Sequence, residues 1–275
     1  MSCPLCSSAA KEALVAKGIP ILDCTDCGHR FYNVNATPFA PAEIYNDAYF
    51  DGGGAGYSDY RADRQLLVER GRMYARKLER FTSPGRILDV GAACGYILKG
   101  FVDEGWEGIG LEPNASMAAF AADDVGVAVR TGTLEETEID GKFDLVSMIQ
   151  VAAHFYDPAA AFARARGLLA ENGLLLIETW DRASFSARIL GKHWHEYSPP
   201  SVVHWFTPKG LTDFLSHNGF ERIAGGRPSK WISGGHARSL LKYRLGERKI
   251  LDLIPSWIKI PYPAEDLFWA LFRKR

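Results

Sequence analysis

The stretch that decides the fold is Arg86-Ile87-Leu88-Asp89-Val90-Gly91-Ala92-Ala93-Cys94-Gly95-Tyr96. Residues 87–90 read as a short buried strand that delivers Asp89 to its end. Small residues then stand at 91, 93 and 95, and a helix begins that runs to about residue 104. Small side chains let the backbone approach a ligand closely, and a helix N-terminus offers N–H groups with no partner of their own. The next strand, 108–111, ends at Glu112, 17 residues past Gly95. A carboxylate there can accept both hydroxyls of a ribose. Together these features point to an adenosine-containing cofactor at the switch point of an open sheet.

Outward from this stretch the pattern alternates. Asn114 caps a helix to about residue 123. Strands follow at 127–130 and 143–149, then a helix opened by Pro158, a strand at 173–178, a helix from Pro208 and a strand at 220–223. A final strand covers 267–272. Strands alternating with helices argue for a parallel sheet with helices on both faces. Upstream, Leu67, Gly71, Tyr74, Leu78 and Phe81 recur at helical spacing and predict a helix over 59–81, ended by Pro84-Gly85. A linker with Pro38, Pro41 and the glycines 52–54 precedes it and carries Tyr45, Tyr49, Tyr57 and Tyr60.

The N-terminus is a separate module. Four of the five cysteines form two C-x-x-C pairs, Cys3 with Cys6 and Cys24 with Cys27, with 17 residues between the pairs. Structural four-cysteine zinc sites use this spacing, and four thiolates close the coordination sphere, so the implied Zn2+ is structural. His29 is not needed as a ligand. Residues 19–22, interrupted by Pro20, read as an edge strand of the module's hairpin. Unpaired cysteines predict a reducing, cytoplasmic setting.

Composition excludes other classes. With 47% hydrophobic and 12% aromatic residues and a net charge of −1, the chain lacks the signature of disorder. No apolar run approaches the ~18–20 residues a bilayer span needs. The start Met1-Ser-Cys-Pro-Leu-Cys6 has neither the basic nor the apolar region of a secretory signal.

Two cofactors compete for the Gly-rich turn. A dinucleotide site wants G-x-G-x-x-G with a pyrophosphate on the helix; the tighter spacing of 91, 93 and 95 resembles instead the motif of class I S-adenosylmethionine-dependent methyltransferases. Thr133-Leu134-Glu135, Phe143-Asp144-Leu-Val146 and Gly173-Leu-Leu-Leu-Ile177 extend the likeness, as does the last strand, which is antiparallel in that family. The expected fold is therefore α/β, a Rossmann-like seven-stranded methyltransferase sheet behind a zinc-ribbon module at 1–34. Residues 35–81 form a linker and helix over the cofactor site. Residues 82–275 form the methyltransferase domain, with substrate-covering insertions near 181–206 and 233–262. Val151-Ala-Ala153-His154-Phe-Tyr-Asp157-Pro158 and Trp194…Pro199-Pro200…Phe206-Thr-Pro208 are similar to motifs of a bacterial group that carries an N-terminal four-cysteine ribbon and methylates small molecules or sugar-linked metabolites. Ala93 stands where that family has a glycine, and Ala153 where it has a glutamate.

The resemblance implies roles for individual residues. Gly91, Ala93 and Gly95, beside Asp89, line the methionine moiety; Glu112 binds the ribose; Pro113, Thr133 and Leu134 flank adenine; Gln150 faces the amino acid. Tyr49 and Tyr60 supply aromatic faces for the sulfonium charge. A hydroxyl acceptor needs its proton removed, and His154, just past the fourth strand, is the first choice as base. His193, His195 and Tyr197 are further catalytic candidates. Trp194, His204 and Trp205 read as a substrate wall; a second metal among these histidines is disfavoured because no paired carboxylates accompany them in the sequence.

Residues 227–275 hold eleven Lys/Arg against four Asp/Glu. Basic amphipathic character at 238–260 allows weak membrane-surface contact, whereas a solvated lid with its apolar face on the sheet is the simpler reading. The expected partner is a small molecule. A ribosomal-RNA guanine methyltransferase, which shares the ribbon-plus-domain plan, is the alternative. The neutral ribbon, with three basic and three acidic residues, speaks against nucleic acid. A non-catalytic zinc scaffold is a second alternative.

Overall fold

The computed structural model describes residues 1–34, 44–47, 61–246, 248–262 and 264–275. Three strands open the chain: β1 (Ala10–Ala16), β2 (Ile19–Cys24) and β3 (Arg30–Tyr32). After the first helix, α1 (Arg64–Leu78), come β4 (Arg86–Val90), α2 (Tyr96–Asp103), β5 (Glu107–Glu112), α3 (Ala115–Phe120), β6 (Ala128–Thr131), β7 (Phe143–Ile149), α4 (Pro158–Leu168) and β8 (Leu169–Trp180). The rest comprises α5 (Phe185–Leu190), β9 (His204–Trp205), α6 (Pro208–His217), β10 (Phe220–Gly226), β11 (Lys230–Ser233), α7 (Gly234–Leu245), β12 (Lys259–Tyr262) and β13 (Leu267–Lys274).

Seven strands form one sheet in the order β10-β13-β8-β7-β4-β5-β6. The pairs from β8 through β6 are parallel, while β13 runs antiparallel to both β8 and β10. The expected seven-stranded sheet with an antiparallel last strand is the observed one. Its central strands read as continuous apolar runs because both faces are covered. Leu145, Leu174 and Leu176 point into one core with Tyr74, Leu98 and Phe101. Leu88, Val146, Leu175 and Ile177 point into the other with Phe162, Leu211 and Phe268. Asn114, Asp157 and Thr207 cap α3, α4 and α6 through side-chain oxygens.

One expectation needs correction. The strand carrying Pro20 is interior to the N-terminal sheet, whose order is β1-β2-β3-β9. Proline is tolerated because β3 pairs only with residues Ile21 to Asp23, so no ladder bond is asked of position 20 on that side. The region 181–206, expected to cover substrate, contributes β9 to this sheet: Arg30 pairs with Trp205 and Phe31 with His204. An excursion between β10 and β13 pairs β11 with β12 around α7. Within it Ile250, Leu253 and Trp257 are exposed and do not pack on the sheet. Among the described residues no helix is long and apolar enough to cross a membrane.

Candidate functional site

The site lies at the carboxyl ends of β4, β5 and β7, where open α/β sheets place ligands. Gly91 (φ +67°), Ala93 (+47°) and Gly95 (+74°) all adopt left-handed backbone. A Cβ on Gly91 would stand 2.4 Å from Val151 Cγ2, so the turn is closed to any side chain there. Ala93 is a buried non-glycine residue in the same conformation, which costs about 1–2 kcal/mol. Its departure from the family pattern therefore acts on the backbone as well as on contact with a ligand.

Glu112 fixes this turn. Ala93 N–H donates to Glu112 Oε2 at 2.8 Å and Asn114 N–H to Oε1 at 3.0 Å. Each carboxylate oxygen keeps a second lone pair for a hydroxyl donor. Burial pushes the Glu112 carboxyl up to about 6, against the pull of those two N–H groups. Asp89, also buried, accepts from Ser147 Oγ at 2.5 Å. Its pKa is pushed up to about 7, chiefly by burial, with the Glu112 charge adding to the shift and the Ser147 bond opposing it. Pro113 and Thr133 are half-buried beyond β5 and β6, and Gly132 N–H ties the two loops through Glu112 O at 2.9 Å. Leu134 is 1% exposed and packs into the core beside Leu88 and Leu111 rather than opening to the turn.

Gln150 ends β7 with φ +60°. Its N–H donates to Glu178 O at 2.7 Å and its Nε2 to Glu178 Oε1 at 3.2 Å. Glu178 is fully buried, and its carboxylate also receives Arg70 and the Tyr74 hydroxyl, both from α1. Sequence reasoning missed this cluster. Its one signal was an acid near the end of an otherwise apolar strand.

His154 follows β7 on the same edge. Its Nδ1 lies 2.5 Å from Ser201 O. A carbonyl only accepts, so Nδ1 carries the proton in this arrangement. Tyr45 OH donates to the same carbonyl at 3.0 Å, and the Tyr45 and Trp180 rings meet the imidazole edge-on at 5.7 and 5.8 Å. Burial pushes the His154 pKa below its ordinary value, while the Ser201 and Gln150 carbonyls pull it back. The imidazole is therefore neutral at neutral pH. Tyr45 O in turn accepts from Asn114 Nδ2 at 2.9 Å, so the Asn114 loop and the His154 loop meet at Tyr45. Tyr49 and Tyr60, expected at the cofactor, lie outside the described residues, as does Tyr57.

The other predicted site residues gather in a seam between the ribbon and the sheet. Trp194 and Trp205 are 1% exposed; the Trp194 indole donates to Asp266 Oδ2 at 3.1 Å and that of Trp205 to Glu196 O at 2.8 Å. Tyr197, buried between them, accepts from Arg30 Nη1 at 2.6 Å. His204 sits 3.0 Å from His29 Nε2 through Nδ1 and 2.9 Å from Phe155 O through Nε2, with its pKa pushed down to about 3, first by burial. Trp194, His204 and Trp205, expected as a substrate wall, are buried side chains, and His204 and Trp205 lie on β9, which extends the N-terminal sheet. Tyr197 belongs to the same seam. His193 is exposed on a short turn, and His195 faces Glu196 and Asp266.

Tight turns bring the four ribbon cysteines together, with all four sulfurs within 4.8 Å of one another. Cys3 and Cys27 Sγ are 3.7 Å apart; Cys6 Sγ is 3.4 Å from those of Cys24 and Cys27. Tetrahedral thiolates around Zn2+ have edges of about 3.8 Å, from a Zn–S bond of about 2.3 Å. Backbone N–H groups of Leu5 and Asp26 point at Cys3 and Cys24 sulfurs, both at 3.4 Å, as suits thiolates.

Comparison with known proteins fits this geometry. A family model described as "Methyltransferase domain" matches residues 60–224. The ubiquinone biosynthesis O-methyltransferase of Bradyrhizobium sp. (strain ORS 278) is 29% identical over 144 residues, 48% of this chain and 57% of that protein. Its counterpart from Rhodopseudomonas palustris (strain BisB5) is 33% identical over 132 residues, 46% of this chain and 49% of that one. The chain thus spans about half the length of the curated relatives it matches. Among solved structures, magnesium protoporphyrin IX methyltransferase from Synechocystis PCC 6803 with bound S-adenosylhomocysteine superposes with a TM-score of 0.55 at 14% identity, covering 85% of this chain and 97% of that one, a likeness of fold alone. With 60–224 matched by the family model and the seven-stranded sheet in place, the chain belongs to the class I S-adenosylmethionine-dependent methyltransferases.

Proposed function

We propose that this chain transfers a methyl group from S-adenosylmethionine to a hydroxyl oxygen of a small molecule. One observation carries the reading: the Glu112-pinned turn and the neutral imidazole of His154 converge on one edge of the sheet, joined through Asn114 and Tyr45. The cofactor supplies an activated methyl on a sulfonium, so the protein's work is positioning and proton removal. Glu112 offers its remaining lone pairs to the ribose hydroxyls. The turn at Gly91, Ala93 and Gly95 takes the methionine end beside Asp89, Pro113 and Thr133 flank adenine, and Gln150 faces the amino acid. His154 takes the acceptor's proton at Nε2 while Nδ1 holds Ser201 O. The names of the two curated relatives above, both O-methyltransferases, support oxygen as the acceptor atom.

The four cysteines fit a structural Zn2+ by donor type and sulfur spacing, and the metal would lock the ribbon against β9. The exposed Ile250, Leu253 and Trp257 support a weak membrane-surface contact through 238–260. The test of the main reading is incubation with S-adenosylmethionine carrying a deuterated methyl group and a panel of phenols, alcohols and amines. The expected products carry the label on oxygen, with S-adenosylhomocysteine formed in equal amount. Label on nitrogen alone would overturn the hydroxyl assignment.

A further inference from the structure

A histidine-rich stretch was a poor metal candidate in sequence because it lacked paired carboxylates. The fold supplies them. His195 Nε2 lies 2.9 Å from Glu196 Oε1 and 3.8 Å from Asp266 Oδ2, and one ligand atom from each residue falls within 4.8 Å of the others. Asp266 comes from 70 residues further along the chain. It is placed just ahead of β13, where its carbonyl accepts Asp181 N–H at 2.7 Å. We propose that His195, Glu196 and Asp266 bind a divalent cation of the Mn2+ class, at a site separate from the four cysteines.

Geometry and charge both support the assignment. Donors about 2.1 Å from a cation stand about 3.0–3.4 Å apart when they are neighbours in its shell, and the observed separations bracket that range. One imidazole nitrogen and two carboxylates form a donor set suited to first-row divalent ions rather than to alkali ions. Asp266 is 5% exposed, and its side-chain partners are a neutral indole, Trp194, and the His195 ring. Among the described residues neither Glu196 nor Asp266 pairs with a lysine or arginine. Two poorly hydrated carboxylates face one imidazole between them, and a dication would balance both charges where a single imidazolium balances one. The His195 side chain is 36% exposed, which leaves an entry path and open coordination positions for water. A bound ion would clip the turn after α5 to the start of β13, beside the packed Trp194. This assignment is independent of the methyl-acceptor reading.

The test is a Mn2+ titration of the full chain, zinc retained, followed by electron paramagnetic resonance. Mn2+ prefers oxygen and imidazole donors, so it reads this cluster and not the thiolate ribbon. One saturable Mn2+ per chain is expected, with Mn2+ raising the Tm of the wild-type protein. Glu196→Gln and Asp266→Asn should each weaken binding by about 10-fold or more and abolish that rise. Both substitutions keep side-chain shape, and circular dichroism in metal-free buffer reports whether each variant is folded. Absence of saturable Mn2+ binding by the wild-type chain would overturn the proposal. Equal affinity in a folded Glu196→Gln or Asp266→Asn variant would do the same. The cluster would then be an imidazolium paired with two carboxylates.

Discussion

Glu178→Ala should be among the most damaging single changes in the chain. Glu178 is fully buried, and the Arg70 side chain that pairs with it is only 10% exposed. The substitution takes the carboxylate away from that buried guanidinium, from the Tyr74 hydroxyl and from the Gln150 amide. Breaking a buried pair from one side costs about 3–5 kcal/mol, against at most ~1 kcal/mol for an exposed pair. A domain has only about 5–15 kcal/mol of stability in all. At about 2–4 °C per kcal/mol for a chain near this size, Tm should fall by about 6–20 °C. Chemical denaturation monitored by circular dichroism gives the free energy, and a thermal melt gives Tm. Arg70→Met combined with Glu178→Leu should recover most of the loss, because a well-packed apolar pair replaces the buried charges. S-adenosylhomocysteine should also bind the single variant more weakly, since Gln150 loses its side-chain acceptor at the ligand edge. A loss of under about 1 kcal/mol for Glu178→Ala, the scale of a solvated pair, would refute the reasoning.

The purified protein should carry one zinc in the ribbon by metal analysis, and Cys24→Ser should release it and loosen residues 1–34 and the β3–β9 seam while the seven-stranded sheet survives. Glu112→Ala should weaken S-adenosylhomocysteine binding by about 1.5–3 kcal/mol in calorimetry, the scale of hydrogen bonds to a charged group. Glu112 also gives the unliganded protein a pH signature. Its carboxyl rises from 4.5 to about 6 on folding, so the folded state binds the proton more tightly, and this group's contribution falls by ~2 kcal/mol as pH rises through that window; Glu112→Gln should remove that slope from denaturation curves. His154→Ala should lower turnover by about 10²–10⁴-fold with cofactor affinity nearly unchanged. Because a base must be unprotonated and the His154 pKa is pushed down, the acid limb of kcat/KM should lie below about 6.5; a limb above that value would exclude His154 as the base.

Much of this protein is legible along the chain because its signals are local. The turn at 91–95 announces itself through small residues after an apolar strand, since only they tolerate left-handed backbone closed off by Val151. The parallel strands show as apolar runs because both faces are buried, and the N-terminal module shows because its cysteines pair three residues apart in tight turns. Helix starts show through the capping oxygen of Asn114 and through Pro158 and Pro208 in the first turns of α4 and α6. What stayed hidden depends on partners far apart in sequence. Nothing near residue 178 reveals that Arg70 and Tyr74 will meet it, because those contacts exist only once α1 lies across the sheet. Aromatic residues at 194–205 look the same whether they face a substrate or a neighbouring strand; the pairing of His204 and Trp205 with β3 exists only in the fold. His195 and Glu196 acquire a second carboxylate only when β13 enters the sheet antiparallel and sets Asp266 beside them. Local sequence carries backbone conformation and periodicity, whereas the meeting of buried charges is a property of the assembled layers.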